Sequence, residues 1–130
     1  MGKVTNNFPK KTYFCLINLY AMKITIVSGA RPNFMKIAPI TRAIKAAQEA
    51  GKKISYRLIY TGRQDDTSLD ASLFSDLDMK RPDGYLGVTG HDHSEVAAAI
   101  MLAFEKELNN HPAQVVLVVD DLTATMSCSI

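Results

Sequence analysis

The sequence is poor in cysteine. Its two cysteines, Cys15 and Cys128, lie near opposite ends of the chain and have no C-x-x-C spacing. This placement argues against both a disulfide framework and a cysteine zinc site. We therefore expect a protein of the reducing cytoplasm.

Long hydrophobic runs and an excess of one charge are also missing. The formal net charge is +2 and the basic residues are scattered, so composition does not indicate a nucleic-acid partner. The longest apolar candidate, residues 13–22, has about half of the roughly 20 residues that a membrane helix needs, and no membrane association is expected. A chain of 130 residues with 47% apolar residues is typical of one soluble globular domain.

The first 21 residues do not fit the regular pattern that begins abruptly at Lys23. We interpret residues 1–21 as an N-terminal extension outside the core, with Met22 as the natural start, and residues 22–130 as the domain. A signal peptide is the alternative, because Lys10 and Lys11 precede the apolar stretch, although no small-x-small cleavage site follows.

From Lys23 onwards, strand-like and helix-like segments alternate. Strands are predicted at residues 23–27, 56–61, 85–88 and 115–119. Helices are predicted up to Gly51, from about Thr67, and from the capping tract Asp92–Glu95 to about Asn109. The order predicts an α/β fold with a Rossmann-like, doubly wound parallel sheet.

Three details of this pattern are specific enough to test. Pro39 cannot sit deep inside a helix, so the regular helix is expected to begin near it, after an irregular turn over residues 34–38. Five consecutive apolar residues at 115–119 predict the centre of the sheet. The four-residue spacing of Leu122, Met126 and Ile130 on one stripe predicts the first turns of one more helix, too short to be stable alone, so a longer natural product is expected.

Candidate ligand contacts follow the first strand. Ligands of open parallel sheets bind outside the carboxyl ends of the strands. Gly29 offers close backbone approach there, Arg31 offers bidentate phosphate contact, and Lys36 adds charge near a helix start. The stretch is neither a dinucleotide fingerprint nor a Walker loop. The alternative is a simple turn in which both basic residues are solvated.

Acidic and histidine residues give weaker signals. Asp121, after the last strand, is either a general acid or base or a helix N-cap, and Asp120 is an equivalent candidate. His91 and His93 flank Asp92, but no further histidine or cysteine is suitably placed, so cap and surface roles explain them better than a metal site. No metal is expected.

Two stretches carry a resemblance to a known family. Residues 23–39 read KITIVSGARPNFMKIAP, and residues 115–121 read VVLVVDD, followed by Thr123 and Thr125. They resemble the bacterial non-hydrolysing UDP-N-acetylglucosamine 2-epimerases, whose first strand leads into Gly-Thr-Arg-Pro-Glu and then a lysine before Met-Ala-Pro. The resemblance spans roughly residues 22–130.

The resemblance implies the first half of a two-domain glycosyltransferase-B-like fold, with a UDP-sugar held between the halves. It implies interconversion of UDP-N-acetylglucosamine and UDP-N-acetylmannosamine by elimination and re-addition of UDP, without a cofactor or metal, and a homodimer when full length. Arg31 and Lys36 match the family's basic pair at the UDP phosphates, and Asp121 matches its acidic residue. The family's other catalytic carboxylates and its histidine lie beyond residue 130, so this chain alone is expected to be inactive.

Some positions depart from the family. Ala30 and Asn33 replace its usual Thr and Glu, and Arg63 and Gln64 replace the Gln-His that many members use at a regulatory substrate site. Sugar contacts and allosteric activation are therefore not carried over. Two other functions stay open: the nucleotide-sugar-binding half of a glycosyltransferase, and a non-catalytic Rossmann-like binding module.

Overall fold

The computed structural model describes residues 21–119 and 123–129. Four strands and four helices alternate along these residues, which confirms the predicted α/β class. The elements are β1 Met22–Ser28, α1 Arg31–Glu49, β2 Ile54–Tyr60, α2 Ala71–Asp76, β3 Gly84–Tyr85, α3 His93–Asn110, β4 Val115–Val118 and α4 Thr123–Ser129.

The strands form one parallel sheet in the order β3-β2-β1-β4. From β1 the chain moves outwards through β2 to β3 and then returns past β1 to β4. Because parallel crossovers are right-handed, this reversal places α1 and α2 on one face and α3 on the other. The sheet is thus doubly wound, as predicted, and its topological switch point lies between β1 and β4.

The core centres on Phe34 of α1. Its fully buried ring lies edge-on to Phe74, at a centroid distance of 5.2 Å, and is tilted against Tyr60 at 5.9 Å. Aliphatic side chains of the sheet and of α1 complete the cluster: Ile26, Ile37, Ile44 and Leu58. Burial of this face explains why α1 docks against β1 and β2.

Helix α1 starts earlier than predicted. It begins at Arg31, with Pro32 in its first turn, and Pro39 lies inside it. The predicted irregular turn over residues 34–38 is therefore wrong. Met35, whose carbonyl loses its partner when residue 39 is proline, is 62% exposed, so the missing hydrogen bond lies on the solvent side of the helix. Gly51, with φ +88°, follows the helix end as predicted.

The next elements are shorter than their sequence patterns suggest. Helix α2 begins at Ala71 and not near Thr67, because the Asp70 carboxylate caps it by accepting the Leu73 amide at 3.0 Å. Strand β3 has only two residues. Helix α3 begins at His93 with Asp92 as its N-cap, as predicted.

Strand β4 is not at the centre of the described sheet. It is the outer strand beside β1, and Val115 and Val116 are 41% and 36% exposed. The predicted last helix is present as α4, in which Met126 is 56% exposed while Ala124 and Ser127 are buried. Leu122, Ile130 and the expected extension, apart from Ala21, lie outside the described residues. None of the described helices is long and apolar enough to cross a membrane.

Candidate functional site

The candidate site is the edge of the sheet where β2, β1 and β4 end side by side. The exits of β1 and β2 are joined directly, because the Thr61 amide donates to the Ser28 carbonyl at 3.0 Å. Ser28 is fully buried and Thr61 is 6% exposed. The loops after β1 and β2 therefore start side by side, and this hydrogen bond fixes their relative positions.

The turn between β1 and α1 contains only Gly29 and Ala30. Both amides donate to the Asn33 side-chain oxygen, at 2.9 and 3.1 Å, and Asn33 is buried. The Ala30 carbonyl in turn accepts the Asn33 amide at 3.1 Å. Because the Gly29 amide already has an acceptor, a ligand that approached the Gly29 backbone would not find its N–H free to donate.

Arg31 and Lys36 are both exposed on α1. Arg31 is the first residue of the helix, at the positive end of its dipole, where an anion is favoured. Five residues of α-helix turn by about 140° and rise by about 7.5 Å. The two side chains therefore leave the helix in different directions.

An acidic side chain lies near Arg31. The pKa of Asp70 is lowered, first by hydrogen bonds from the Ser72 hydroxyl and the Leu73 amide, and then by the positive charges of Arg31 and Arg81. The N-cap of α2 is therefore close enough to Arg31 for their opposite charges to interact.

The exit of β2 is tied down by a tyrosine. The Tyr60 hydroxyl donates to Asp66 Oδ2 at 2.6 Å, while Asp66 Oδ1 accepts the Ser68 amide at 2.9 Å and its hydroxyl at 2.7 Å. These bonds, Tyr60 first, lower the pKa of Asp66. Burial and then the Asp66 contact raise the pKa of Tyr60 to about 12. A Cβ at Gly62 would lie 2.5 Å from the Tyr60 ring, so glycine lets the ring fold over the turn.

Arg63 extends from this loop into solvent. Its guanidinium pairs with the Asp65 carboxylate at 2.7 Å, and both side chains are mostly exposed. Together with Gln64 and Gly87 they line a shallow depression of about 430 Å³. A larger depression, about 600 Å³, lies beside Tyr56 near the start of β2, at the opposite edge of the sheet, and does not belong to the candidate site.

Asp120 and Asp121, the candidates for the acid or base, lie outside the described residues. The chain on either side of them is fixed, because the Thr125 hydroxyl donates to the Val119 carbonyl at 2.7 Å. This contact holds the start of α4 against the end of β4. The exit of β4 therefore adjoins the β1 turn at the switch point.

The other titratable candidates have structural explanations. His91 and His93 are exposed, and the Asp92 carboxylate between them accepts the Ser94 amide at 3.0 Å. Within residues 21–119 and 123–129 there is no group of three or more side chains suited to hold a metal ion. Burial raises the pKa of the Cys128 thiol to about 11, so it is not an activated nucleophile at neutral pH.

Sequence reasoning missed the residues that shape the two loops. Asn33 was considered only as a departure from a family motif, although asparagine three residues after a turn, at the start of a helix, fits a capping position. Tyr60 and Asp66 had no local signal except Gly62, whose small size makes room for the ring. Their hydrogen bond joins residues six apart through a folded loop.

Comparison with curated proteins bears out the resemblance seen in the sequence. The chain is 26% identical over 106 residues to the UDP-N-acetylglucosamine 2-epimerase of Methanocaldococcus jannaschii, which covers 82% of the chain and 28% of the relative. It is 27% identical over 106 residues to the UDP-2,3-diacetamido-2,3-dideoxy-D-glucuronate 2-epimerase of Pseudomonas aeruginosa, covering 82% and 29%. The chain thus spans less than a third of the length of these relatives. No family model matches it.

Solved structures agree in fold. The M. jannaschii UDP-GlcNAc 2-epimerase in complex with UDP-GlcNAc and UDP superposes with a TM-score of 0.69 at 26% identity, covering 83% of this chain and 28% of that one. The Neisseria meningitidis enzyme bound to UDP-GlcNAc gives a TM-score of 0.70 at 23% identity over 83% of this chain and 28% of that one. The described fold is therefore that of one part of a glycosyltransferase-B-like epimerase structure.

Proposed function

We propose that this chain is the N-terminal, nucleotide-sugar-binding domain of a non-hydrolysing UDP-N-acetylglucosamine 2-epimerase. The observation that carries the proposal is the likeness, in sequence and fold, to an epimerase solved with UDP-GlcNAc and UDP. We assign the domain to residues 22–130, with residues 1–21 outside it. The complete enzyme is expected to be a cytoplasmic homodimer that uses neither a metal nor a cofactor.

The basic residues of α1 suit the leaving group. Arg31 stands at the helix N-terminus beside the switch point, and Lys36 follows on the exposed surface. A diphosphate that departs from the sugar gains negative charge, and cationic side chains stabilise it in the transition state. We assign Arg31 and Lys36 to the UDP phosphates, with Gly29 leaving room for the ligand.

The reaction that fits this arrangement is an elimination followed by an addition. A base removes the proton from C2 of the sugar while the bond from C1 to the UDP oxygen breaks, and UDP takes that electron pair. The product is a 2-acetamidoglucal with a double bond between C1 and C2. UDP then adds back to C1, and a proton reaches C2 from the opposite face. We assign Asp121 to this proton transfer.

A second substrate is favoured by one observation. The chain is as similar to the P. aeruginosa enzyme, named for a diacetamido glucuronate, as to the M. jannaschii enzyme. Both names describe 2-epimerases of UDP-sugars that carry an acetamido group. We therefore propose UDP-N-acetylglucosamine as the substrate and the diacetamido glucuronate as the second candidate, to be tested beside it.

The test uses the complete reading frame of the gene, expressed from Met22. Conversion of each UDP-sugar is followed by proton NMR, and we expect UDP-N-acetylmannosamine to form from UDP-N-acetylglucosamine. Asp121→Asn should abolish conversion, and Arg31→Ala should lower kcat/KM by about 100-fold or more. Lys45→Ala, another exposed cation of α1, is the matched control and should retain activity. The 130-residue chain alone should give no conversion.

The opposite result is equally clear. A folded full-length protein that converts neither sugar contradicts the proposal and favours a glycosyltransferase half or a binding module. Equal losses in Arg31→Ala and Lys45→Ala would remove the assignment of the phosphate site while leaving the reaction in place.

A further inference from the structure

The side chain of Asn33 is almost fully enclosed beneath the turn that precedes α1. It is 1% exposed, and its oxygen accepts two amides, from Gly29 at 2.9 Å and from Ala30 at 3.1 Å. The Ser28 hydroxyl adds a third contact by donating to the Ala30 carbonyl at 3.2 Å. A two-residue turn is thus held by polar contacts on both of its amides.

These contacts decide how a phosphate can be recognised at this edge. In glycine-rich phosphate loops, backbone amides point at the anion. Here the amides of Gly29 and Ala30 point at Asn33, and Pro32 has no amide hydrogen to offer. Recognition of a diphosphate at this turn therefore relies less on backbone amides than in such loops and more on side chains, of which Arg31 is the first on α1.

We propose that Asn33 is a positioning residue for the substrate diphosphate: its buried carboxamide oxygen fixes the turn from which Arg31 projects. Ala30 is extended, with φ −159° and ψ 160°, and the chain enters the helix at the next residue. Arg31 therefore follows directly on the two residues whose amides Asn33 accepts. This inference rests on the proposed function and adds a residue that acts on the ligand through Arg31.

The experiment compares two substitutions in the full-length protein. Asn33→Asp keeps an acceptor oxygen at the same position, whereas Asn33→Leu keeps the size of the side chain and accepts no hydrogen bond. The probe is UDP, titrated by calorimetry, with uridine as the control ligand because it lacks the diphosphate. We expect Asn33→Leu to weaken UDP binding by about 10-fold, which corresponds to one lost charge-assisted contact, and to leave uridine binding unchanged.

Coupling to Arg31 separates positioning from a loss of fold. In an Arg31→Ala background, Asn33→Leu should cause no further loss of UDP affinity, because the residue through which it acts is gone. Asn33→Asp should remain within about threefold of the wild type, well short of the 10-fold loss. If Asn33→Leu does not fold, Asn33→Ala is used, and amide exchange at Gly29 and Ala30 reports the loosened turn directly.

Two failures can be told apart. Wild-type protein that folds but does not bind UDP overturns the proposed function and this inference with it. Wild-type protein that binds UDP while Asn33→Leu binds it equally well, or loses uridine to the same degree, overturns the positioning role alone.

Discussion

The half of the molecule built from β1, β2 and α1 differs sharply from the half built from β4, α3 and α4. In the first half, Ile26, Phe34 and Leu58 are fully buried. In the second, Ile100 and Phe104 of α3 are buried, but Leu102 is 70% exposed and Met126 is 56% exposed. The candidate site lies where the two halves meet, at the switch point between β1 and β4. Asn33 and Tyr60, whose hydrogen bonds shape its two loops, both belong to the closely packed half.

This difference teaches that apolar character and burial are separate properties of a segment. Residues 115–119 form an unbroken apolar run, yet two of them are substantially exposed because β4 is the outer strand of the described sheet. Residues 54–60 are more polar, yet β2 is paired on both sides. The place of a strand in the sheet therefore decides its burial.

The largest expected effect is in the packed half. Phe34→Ala removes a ring that contacts Phe74 and Tyr60, and it should lower the free energy of unfolding by about 3–5 kcal/mol. Met126→Ala, its counterpart in the exposed half, should change it by less than about 0.5 kcal/mol. Urea unfolding followed by circular dichroism measures both.

A milder pair keeps this comparison measurable if Phe34→Ala does not fold. Ile26→Val should cost about 0.5–1.5 kcal/mol. Equal costs for Met126→Ala and the core substitutions would mean that α4 is as closely packed as α1, and the contrast between the halves would be wrong.

Much of the packed half could be predicted from sequence, because its signals are local. The β-branched run before Gly29 and the spacing of Ile37 and Ile44 identified β1 and one face of α1. The start of α1 could not be predicted, because proline is normally excluded from the interior of a helix and Pro39 lies inside this one. Only the exposure of Met35 shows why Pro39 is tolerated there.

The roles of the candidate site residues stay predictions. Arg31 and Lys36 were selected by residue type and position, and both are exposed on α1. Asn33 was missed because its importance depends on which way a short polar side chain turns. The edge position of β4 was missed because strand order is set by long-range pairing, which no single segment encodes.

The hydrogen bond between Tyr60 and Asp66 should make stability depend on pH at both ends. The folded pKa of Asp66 is lowered, so its contribution is present above the unfolded pKa and is lost as pH falls through the folded value. The pKa of Tyr60 is raised to about 12, so its contribution is present below about pH 10 and is lost as pH rises through the folded value. The melting temperature, measured as a function of pH, should fall at both the acid and the alkaline end.

Two variants test which residue causes each loss of stability. Tyr60→Phe should reduce the loss at high pH, and it should also weaken the loss at low pH because Asp66 loses its first hydrogen-bond donor. Asp65→Asn, in the same loop, removes an exposed ion pair and should leave the loss of stability at low and at high pH unchanged. If the melting temperature of Tyr60→Phe depended on pH as that of the wild type does, the proposed effect of the Tyr60–Asp66 hydrogen bond on stability would be contradicted.

The smallest effect on stability is expected at the edge of the sheet. Val116 is 36% exposed on β4, and lysine can extend its charge into solvent from such a position. Val116→Lys should therefore change the free energy of unfolding by less than about 0.5 kcal/mol. Because lysine on an outer strand opposes pairing between sheets, it should also lower self-association, measured by sedimentation at several concentrations.

Leu58→Lys, at a fully buried position of β2, is the matched control and should unfold the protein. A Val116→Lys protein as unstable as that control would show that β4 is covered in solution, and the two halves would then be equally packed.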